Sequence, residues 1–197
     1  ITVLDATGSS VLYASLLGKG GALATGATAL ALDGCNGAYV AGTTYSTAFP
    51  ATPGAFDETY NGGGDAWLLR ITTLNPWTDL GHSLDTPARS PRVAPSGPLC
   101  AGDPTALVLT DGRPGGSAYL VIGATELAAP FKGGTLMPAP DIVVPGIPLD
   151  GSGGVTLTFS WPAGLPAALD VFFQVWMPDA TGPLGFSASN AVVGRTP

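Results

Sequence analysis

The chain has 197 residues and a net charge of −7, with seven Lys and Arg residues spread along it. Nucleic acids and anionic membranes both require clustered basic side chains, so the composition argues against both as partners. No run of 18 apolar residues occurs, so no membrane-spanning segment is predicted either.

The composition also predicts an ordered, all-β protein. Gly and Pro, at 29 and 19 residues, break helices and mark turns, whereas the strong helix formers Glu and Lys are scarce. An apolar fraction of 45% argues against disorder. Because only 11% of residues are charged, we expect a surface that is covered by partners, by glycan or by copies of itself.

The first part of the chain reads as short strands in antiparallel order. Residues 1–4 and 11–17 have the pattern of a hairpin, since a Gly- and Ser-rich turn separates them. Strands are predicted again at 27–32, 38–44 and 65–71. Between the last two lies a long loop, 45–64, whose two Phe residues are expected to anchor it. Its hydroxyl residues predict O-glycosylation, with candidate acceptors at Thr43, Thr44, Ser46, Thr47 and Thr52.

Several motifs of this region occur together in a fixed order. They are SVLYASLLG at 10–18, ALALD at 29–33, GAYVAGTTYS at 37–46, FPATPGAF at 49–56 and GGDAW at 63–67. Over residues 1–73 this pattern resembles the SBBP β-propeller repeat of bacterial secreted proteins. The resemblance implies a four-stranded antiparallel blade and an extracellular location, and it carries no catalytic residue set.

The resemblance has one departure, which concerns the order of the strands. The fourth strand of the repeat should follow residues 65–71, but the chain continues there as Leu74-Asn75-Pro76-Trp77. The only copy of that strand lies near the N-terminus, and we predict it to be an assembly strand made of Val11, Leu12, Tyr13, Ala14, Ser15, Leu16 and Leu17. It could pair within its own chain, or add to the sheet of a neighbouring subunit to give a ring or filament. Alternatively, the chain is a fragment of a larger propeller protein.

The second half is predicted to form an immunoglobulin-like β-sandwich. We expect a blade domain at 1–75, a Pro-rich linker at 76–98 with at most one strand that enters the next domain, and the sandwich at 99–197. Strands are predicted at 106–110, 117–123, 142–144, 155–161, 171–177 and 185–193. Residues 171–177 are apolar on both faces, so this strand is placed centrally. The motifs PFKGGTLMP at 130–138, WPAGLP at 161–166 and SNA at 189–191 resemble a C-terminal sandwich module of bacterial secreted proteins.

No enzymatic, metal or cofactor site is predicted. His82 is the only histidine, and no Gly-x-Ser-x-Gly motif accompanies it. Turn capping explains several acidic and amide side chains more simply than a functional site does. The alternatives are calcium ligation by Asp33, Asn36, Asp57 and Asp65, and a glycosidase carboxylate pair that includes Glu58.

The tryptophans and cysteines leave alternatives open. The four Trp residues could stack on sugar, with Trp77 and Trp176 as the exposed candidates and Trp67 and Trp161 in the core. Cys35 and Cys100 could form a disulfide, which would stabilise by about 4 kcal/mol through loop closure, or remain two buried thiols.

The sequence therefore predicts an extracellular structural protein that self-assembles into a fibre or surface layer, with itself as partner. The alternative is a secreted module that binds carbohydrate or another surface.

Overall fold

Short β-branched and aromatic segments, separated by Gly- and Pro-rich turns, form strands throughout the computed structural model. The structure describes residues 1–4, 7–17, 25–35, 37–72 and 76–197. Its strands, in chain order, are β1 (Thr2–Leu4), β2 (Val11–Ala14), β3 (Gly26–Leu32), β4 (Gly37–Thr44), β5 (Asp65–Thr72), β6 (Trp77–Gly81), β7 (Arg92–Ser96), β8 (Pro104–Thr110), β9 (Ser117–Gly123), β10 (Glu126–Phe131), β11 (Gly134–Pro138), β12 (Ile142–Pro148), β13 (Val155–Ser160), β14 (Asp170–Pro178), β15 (Phe186–Ala188) and β16 (Ala191–Arg195). The helical content of these residues is one 3-10 turn, Pro183–Gly185. The predicted all-β class is thus confirmed.

The chain divides into two units, Ile1–Leu74 and Asn75–Pro197. In the first unit, β1 and β2 form an antiparallel hairpin, and β3, β4 and β5 form a separate three-stranded sheet in that order. Gly42 permits a close approach in this sheet: a side chain there would collide with the Gly26 carbonyl and come within 2.7 Å of the Trp67 ring.

The second unit is built on two antiparallel sheets. The larger has the order β12-β9-β14-β16-β6, with β15 also paired to β14, and the smaller has the order β13-β8-β7. Apolar side chains of both sheets form one buried cluster, which includes Trp77, Leu107, Trp161, Phe173 and Val192. This arrangement is a β-sandwich, as the spacing of the predicted strands and turns indicated.

Strand β14 lies in the middle of the larger sheet and is buried on both faces, as its sequence predicted. Phe173, Val175 and Met177 belong to the sandwich core. Trp176 lies in a second cluster, with Leu84, Val121, Leu136 and Ala188. The β10–β11 hairpin, which is not among the predicted strands, contributes Leu136 to this cluster. Its Phe131 ring packs edge-on to Trp176, with the ring centroids 5.0 Å apart.

Residues 76–98, predicted as a linker, contain two strands of the sandwich. Strand β6 pairs with β16, and β7 pairs with β8. The indole of Trp77 is buried in the core and donates a hydrogen bond to the Gly97 carbonyl at 3.0 Å. Both strands are short, and Pro91, Pro95 and Pro98 hide their periodicity, so the pattern resembled a linker.

The edge strand β12 is irregular. Ile142, Val143 and Val144 pair with β9, and the register then shifts before Ile147. Pro145 and Gly146 occupy the irregular position, and Gly146 has a φ of +71°. No described helix has the length and apolarity needed to cross a membrane.

Candidate functional site

The N-terminal hairpin is closed by its own backbone. The backbone nitrogen of Ile1 donates to the Ser15 carbonyl at 2.7 Å, and the Ser15 nitrogen donates to the Ile1 carbonyl at 2.9 Å. Val3 lies opposite Tyr13, and an irregularity follows between Val3 and Leu4. In the single chain, β2 therefore pairs with β1 and belongs to a sheet separate from β3–β5.

One face of this hairpin lies beside the edge of β5. Side chains that alternate along the hairpin, Ile1, Tyr13, Ser15 and Leu17, line a cavity of about 400 Å³ together with Leu69, Arg70 and Ile71. Among the described strands, the side of β5 away from β4 has no ladder partner. The hairpin thus meets this edge across a cavity, without hydrogen-bonded pairing between strands.

The opposite edge of the sheet, strand β3, is exposed along its whole length. Leu30 is 67% exposed and Leu32 is 76% exposed. The strand reads Gly-Ala-Thr-Ala-Leu-Ala-Leu and contains neither a charged residue nor a proline. The register with β4 shifts near the start of the strand, between Ala27 and Ala29, and the strand is regular from Ala29 to Leu32. It has neither of the two side-chain types that most simply block pairing at a sheet edge.

An ion pair fixes the end of the sheet next to this edge. Arg70 donates to Asp33 Oδ2 at 2.8 Å, and the backbone nitrogens of Cys35 and Gly37 donate to Asp33 Oδ1 at 2.8 and 2.9 Å. The hydrogen bond from Arg70, with the two backbone donors, lowers the pKa of Asp33 from its ordinary 3.8. Asp33 therefore ties the β3–β4 turn to β5, a capping role that the sequence predicted.

Replacing Arg70 by Gln is expected to raise the pKa of Asp33 toward its ordinary value. A depressed pKa stabilises the folded state above the unfolded pKa, about 3.9, and this contribution disappears as the pH falls through the folded value. The stability difference between the wild type and Arg70→Gln should therefore be present at neutral pH and shrink in acid. Carboxyl NMR titration measures the shift directly.

Asp57 provides the matched control for this titration. Thr59 and Asn61 lower its pKa through hydrogen bonds, and Arg70 is not among the causes. Its titration should be the same in both proteins. An unchanged Asp33 titration in Arg70→Gln would contradict the role given to the ion pair.

The loop 45–64 forms a crevice of about 550 Å³ against the sheet. Phe49 packs on Trp67 with ring centroids 5.3 Å apart and anchors the loop as expected. Phe56 is fully exposed, so the expectation that both Phe residues anchor the loop is wrong for this one. Asp57 accepts hydrogen bonds from Thr59 and Asn61, and Glu58 accepts one from the Gly54 nitrogen. Asp65 accepts from the Asn61 nitrogen at 2.6 Å. These carboxylates therefore hold turns in the loop, whereas Asn36 lies outside the described residues.

The tryptophans do not form an exposed stacking surface. Trp67, Trp77, Trp161 and Trp176 are all buried, Trp77 at 6% and Trp176 at 2% exposure. The two proposed as exposed candidates thus belong to hydrophobic clusters. The sequence does not reveal the burial of Trp77, because β6 is short and lies in a Pro-rich stretch. It does not reveal that of Trp176 either, because the β10–β11 hairpin that covers this ring has no clear sequence pattern.

The candidate glycosylation residues differ in accessibility. Thr43, Thr47 and Thr52 are exposed, and Ser46 is half-buried. Thr44 is buried, and its hydroxyl bonds to Thr25 Oγ1 at 2.8 Å and accepts from the Ser46 nitrogen at 3.1 Å. An acceptor role therefore fits the three exposed threonines best.

The other residues named from the sequence lie at separate places in the structure. His82 is exposed with a φ of +62°, and its backbone carbonyl accepts a hydrogen bond from Gln174. The side chain of Leu12 lies outside the described part of the structure, while Leu16 is 94% exposed. Neither cysteine is a free thiol, and both are disulfide-bonded.

The sequence identifies residues 11–17 as a strand but does not identify the strand edges that lie near it. Leu69, Ile71, Leu30 and Leu32 were expected only as ordinary strand residues. Their alternation is visible in the sequence, but which strand has an open edge depends on the order of strands in the sheet.

Comparisons with known proteins give no relative: no family model, no curated protein and no solved structure matches this chain. The resemblance to the SBBP repeat therefore stays a prediction.

Proposed function

We propose that this chain is an extracellular structural protein that assembles with copies of itself through the strand edges of its N-terminal unit. The observation that carries the proposal is strand β3, an exposed edge without charge or proline. Monomeric proteins usually protect such edges, because unpaired backbone groups recruit further strands.

The rest of the N-terminal unit supports the same proposal. Val11 and Leu16 in the hairpin segment are 62% and 94% exposed, and Leu68 on β5 is 72% exposed. Exposed apolar groups at this density are typical of surfaces that are covered in an assembly. Addition of the N-terminal strand to a neighbour would cover part of this surface, and the contact would be heterologous, so that repetition gives a ring or a filament.

The cysteines support the proposed location outside the cell. Both are disulfide-bonded, and disulfides persist mainly in oxidising compartments. The accessible Thr43, Thr47 and Thr52 are compatible with the same location, since they are available for O-linked sugar.

Replacing Leu30 and Leu32 by Lys is expected to weaken assembly strongly. Each substitution removes apolar burial worth about 1–2 kcal/mol and places a charge on the edge. Because each 1.4 kcal/mol changes an association constant tenfold, the concentration needed for assembly should rise roughly tenfold or more. Light scattering after size exclusion, with electron microscopy of the same fractions, measures this change.

Leu184→Lys is the matched control, because Leu184 is also 76% exposed but lies in the 3-10 turn of the other unit. It should assemble as the wild type does. A wild type that stays monomeric at high concentration would refute self-assembly, and equal behaviour of the edge and control variants would refute the role of β3.

A further inference from the structure

The hairpin and the edge of β5 face one another without forming a common sheet. The cavity between them is lined by Ile1, Tyr13 and Leu17 on one side and by Leu69 and Ile71 on the other. All but Tyr13 are half-buried, so the contact is apolar but incompletely packed. Unfilled apolar space forfeits dispersion contacts that a closer arrangement would gain.

The backbone on both sides of the cavity also has unused pairing capacity. Among the described strands, β2 pairs only with β1, and β5 pairs only with β4. A two-stranded hairpin is marginally stable by itself, whereas a third or fourth strand adds cooperativity. Both elements that flank the cavity would therefore gain from pairing.

The connection between the hairpin and β3 permits the hairpin to reach another molecule. Residues 16–25 join Ser15 to β3, and ten residues can span about 35 Å when extended. Transfer of the hairpin to a neighbouring copy keeps the apolar contacts that line the cavity, and a ladder between β2 and β5 is the interaction that it would add.

We propose that strand β2 of a second copy of this chain occupies the open edge of β5, next to Leu69, Arg70 and Ile71. This inference rests on the proposed function and adds the strand edge that accepts the neighbour. One chain donates strand β2, and the other chain accepts it at β5. The product is a four-stranded sheet ordered β3-β4-β5-β2, whose last strand comes from the neighbour. The exposed edge of β3 then remains for contacts between assembled chains.

Mixed cysteine variants test the acceptor. Ser15→Cys chains and Ile71→Cys chains, carrying tags of different mass, are mixed before assembly and treated with a short bismaleimide. Both native cysteines are disulfide-bonded, so the introduced thiols are the reactive groups. We expect a covalent heterodimer of the two tagged chains. The matched control replaces Ile71→Cys by Ala31→Cys on the exposed β3, and it should give several-fold less heterodimer.

The outcomes separate this inference from self-assembly itself. Heterodimer with Ala31→Cys and not with Ile71→Cys would overturn β5 as the acceptor while leaving assembly intact. A double variant, Ser15→Cys/Ile71→Cys, distinguishes pairing within one chain. If the protein assembles but only this variant is cross-linked, and only within one chain, then the hairpin stays with its own sheet and the inference is wrong. Monomer under all conditions would instead overturn the proposed function. Size exclusion and circular dichroism of each single variant verify that the substitutions leave the fold intact.

Discussion

Replacement of Gln174 by Met is expected to lower the free energy of unfolding of the C-terminal unit by about 3 kcal/mol, since it leaves buried polar groups without partners. Gln174 is fully buried in the central strand β14. Its Oε1 accepts from the Met137 nitrogen at 3.1 Å and from the Trp176 indole at 3.0 Å. Its Nε2 donates to the carbonyls of His82, Thr135 and Ser189.

Met is the informative replacement because it nearly preserves the volume of Gln and removes only the hydrogen bonding. Gln174→Ala should cost more, because it adds a cavity to the same polar loss. Denaturant unfolding followed by Trp fluorescence measures both variants, and hydrogen exchange at the Met137 amide reports the lost bond locally. Glu126→Met, at an exposed position of β10, is the control and should change stability by less than about 0.5 kcal/mol. A Met variant as stable as wild type would show that the network is dispensable.

The second large effect is expected at Asn190, which connects the two sheets of the sandwich. The Val93 nitrogen donates to Asn190 Oδ1 at 2.7 Å, and Asn190 Nδ2 donates to the Val93 carbonyl at 3.2 Å. Both residues are buried, Asn190 between β15 and β16 and Val93 on β7. The side-chain amide thus pairs with a strand of the opposite sheet as a backbone would.

Asn190→Ala should cost about 2–4 kcal/mol, since it orphans a buried donor and a buried acceptor. Asn190→Asp keeps one of the two hydrogen bonds and removes the other. Its carboxylate still accepts from the Val93 nitrogen, but it repels the Val93 carbonyl oxygen. Burial and this repulsion raise the pKa of the new carboxyl, so the penalty should be large at neutral pH and shrink as the pH falls and the group becomes a donor. Thermal unfolding at a series of pH values from about 4, near the unperturbed pKa of Asp, to about 8 measures this change in the penalty. A pH-independent penalty in Asn190→Asp would contradict the paired geometry.

Periodicity predicted the fold where strands are long and regular. The alternation of Val155, Leu157 and Phe159 with polar neighbours gave β13, and the apolar content of residues 171–177 placed β14 centrally. Periodicity was weak where strands are short or Pro-rich, as in β6 and β7. The predicted strand at 185–193 is instead divided into β15 and β16, because Ser189 and Asn190 turn their side chains to backbone groups of other strands.

The candidate site was predicted only in part, because an open strand edge depends on the order of strands in the sheet. Strand composition identified residues 11–17 as a pairing segment, of which 11–14 form β2. Whether a strand edge is open depends on which strands flank it, and alternation within one segment carries no information about its neighbours. The role of Gln174 was equally hidden, because a single polar residue in an apolar strand gives no sign of the five groups that surround it.

The irregularity of strand β12 limits how many residues of a further strand could pair with this edge of the sandwich. This edge exposes Ile142, Val143 and Val144, but Pro145 lacks an amide hydrogen and the register shifts beyond it. An incoming strand would therefore find a regular ladder over only three residues. In an assembly through strand edges, as proposed, β12 would therefore give an incoming strand too short a ladder to hold it.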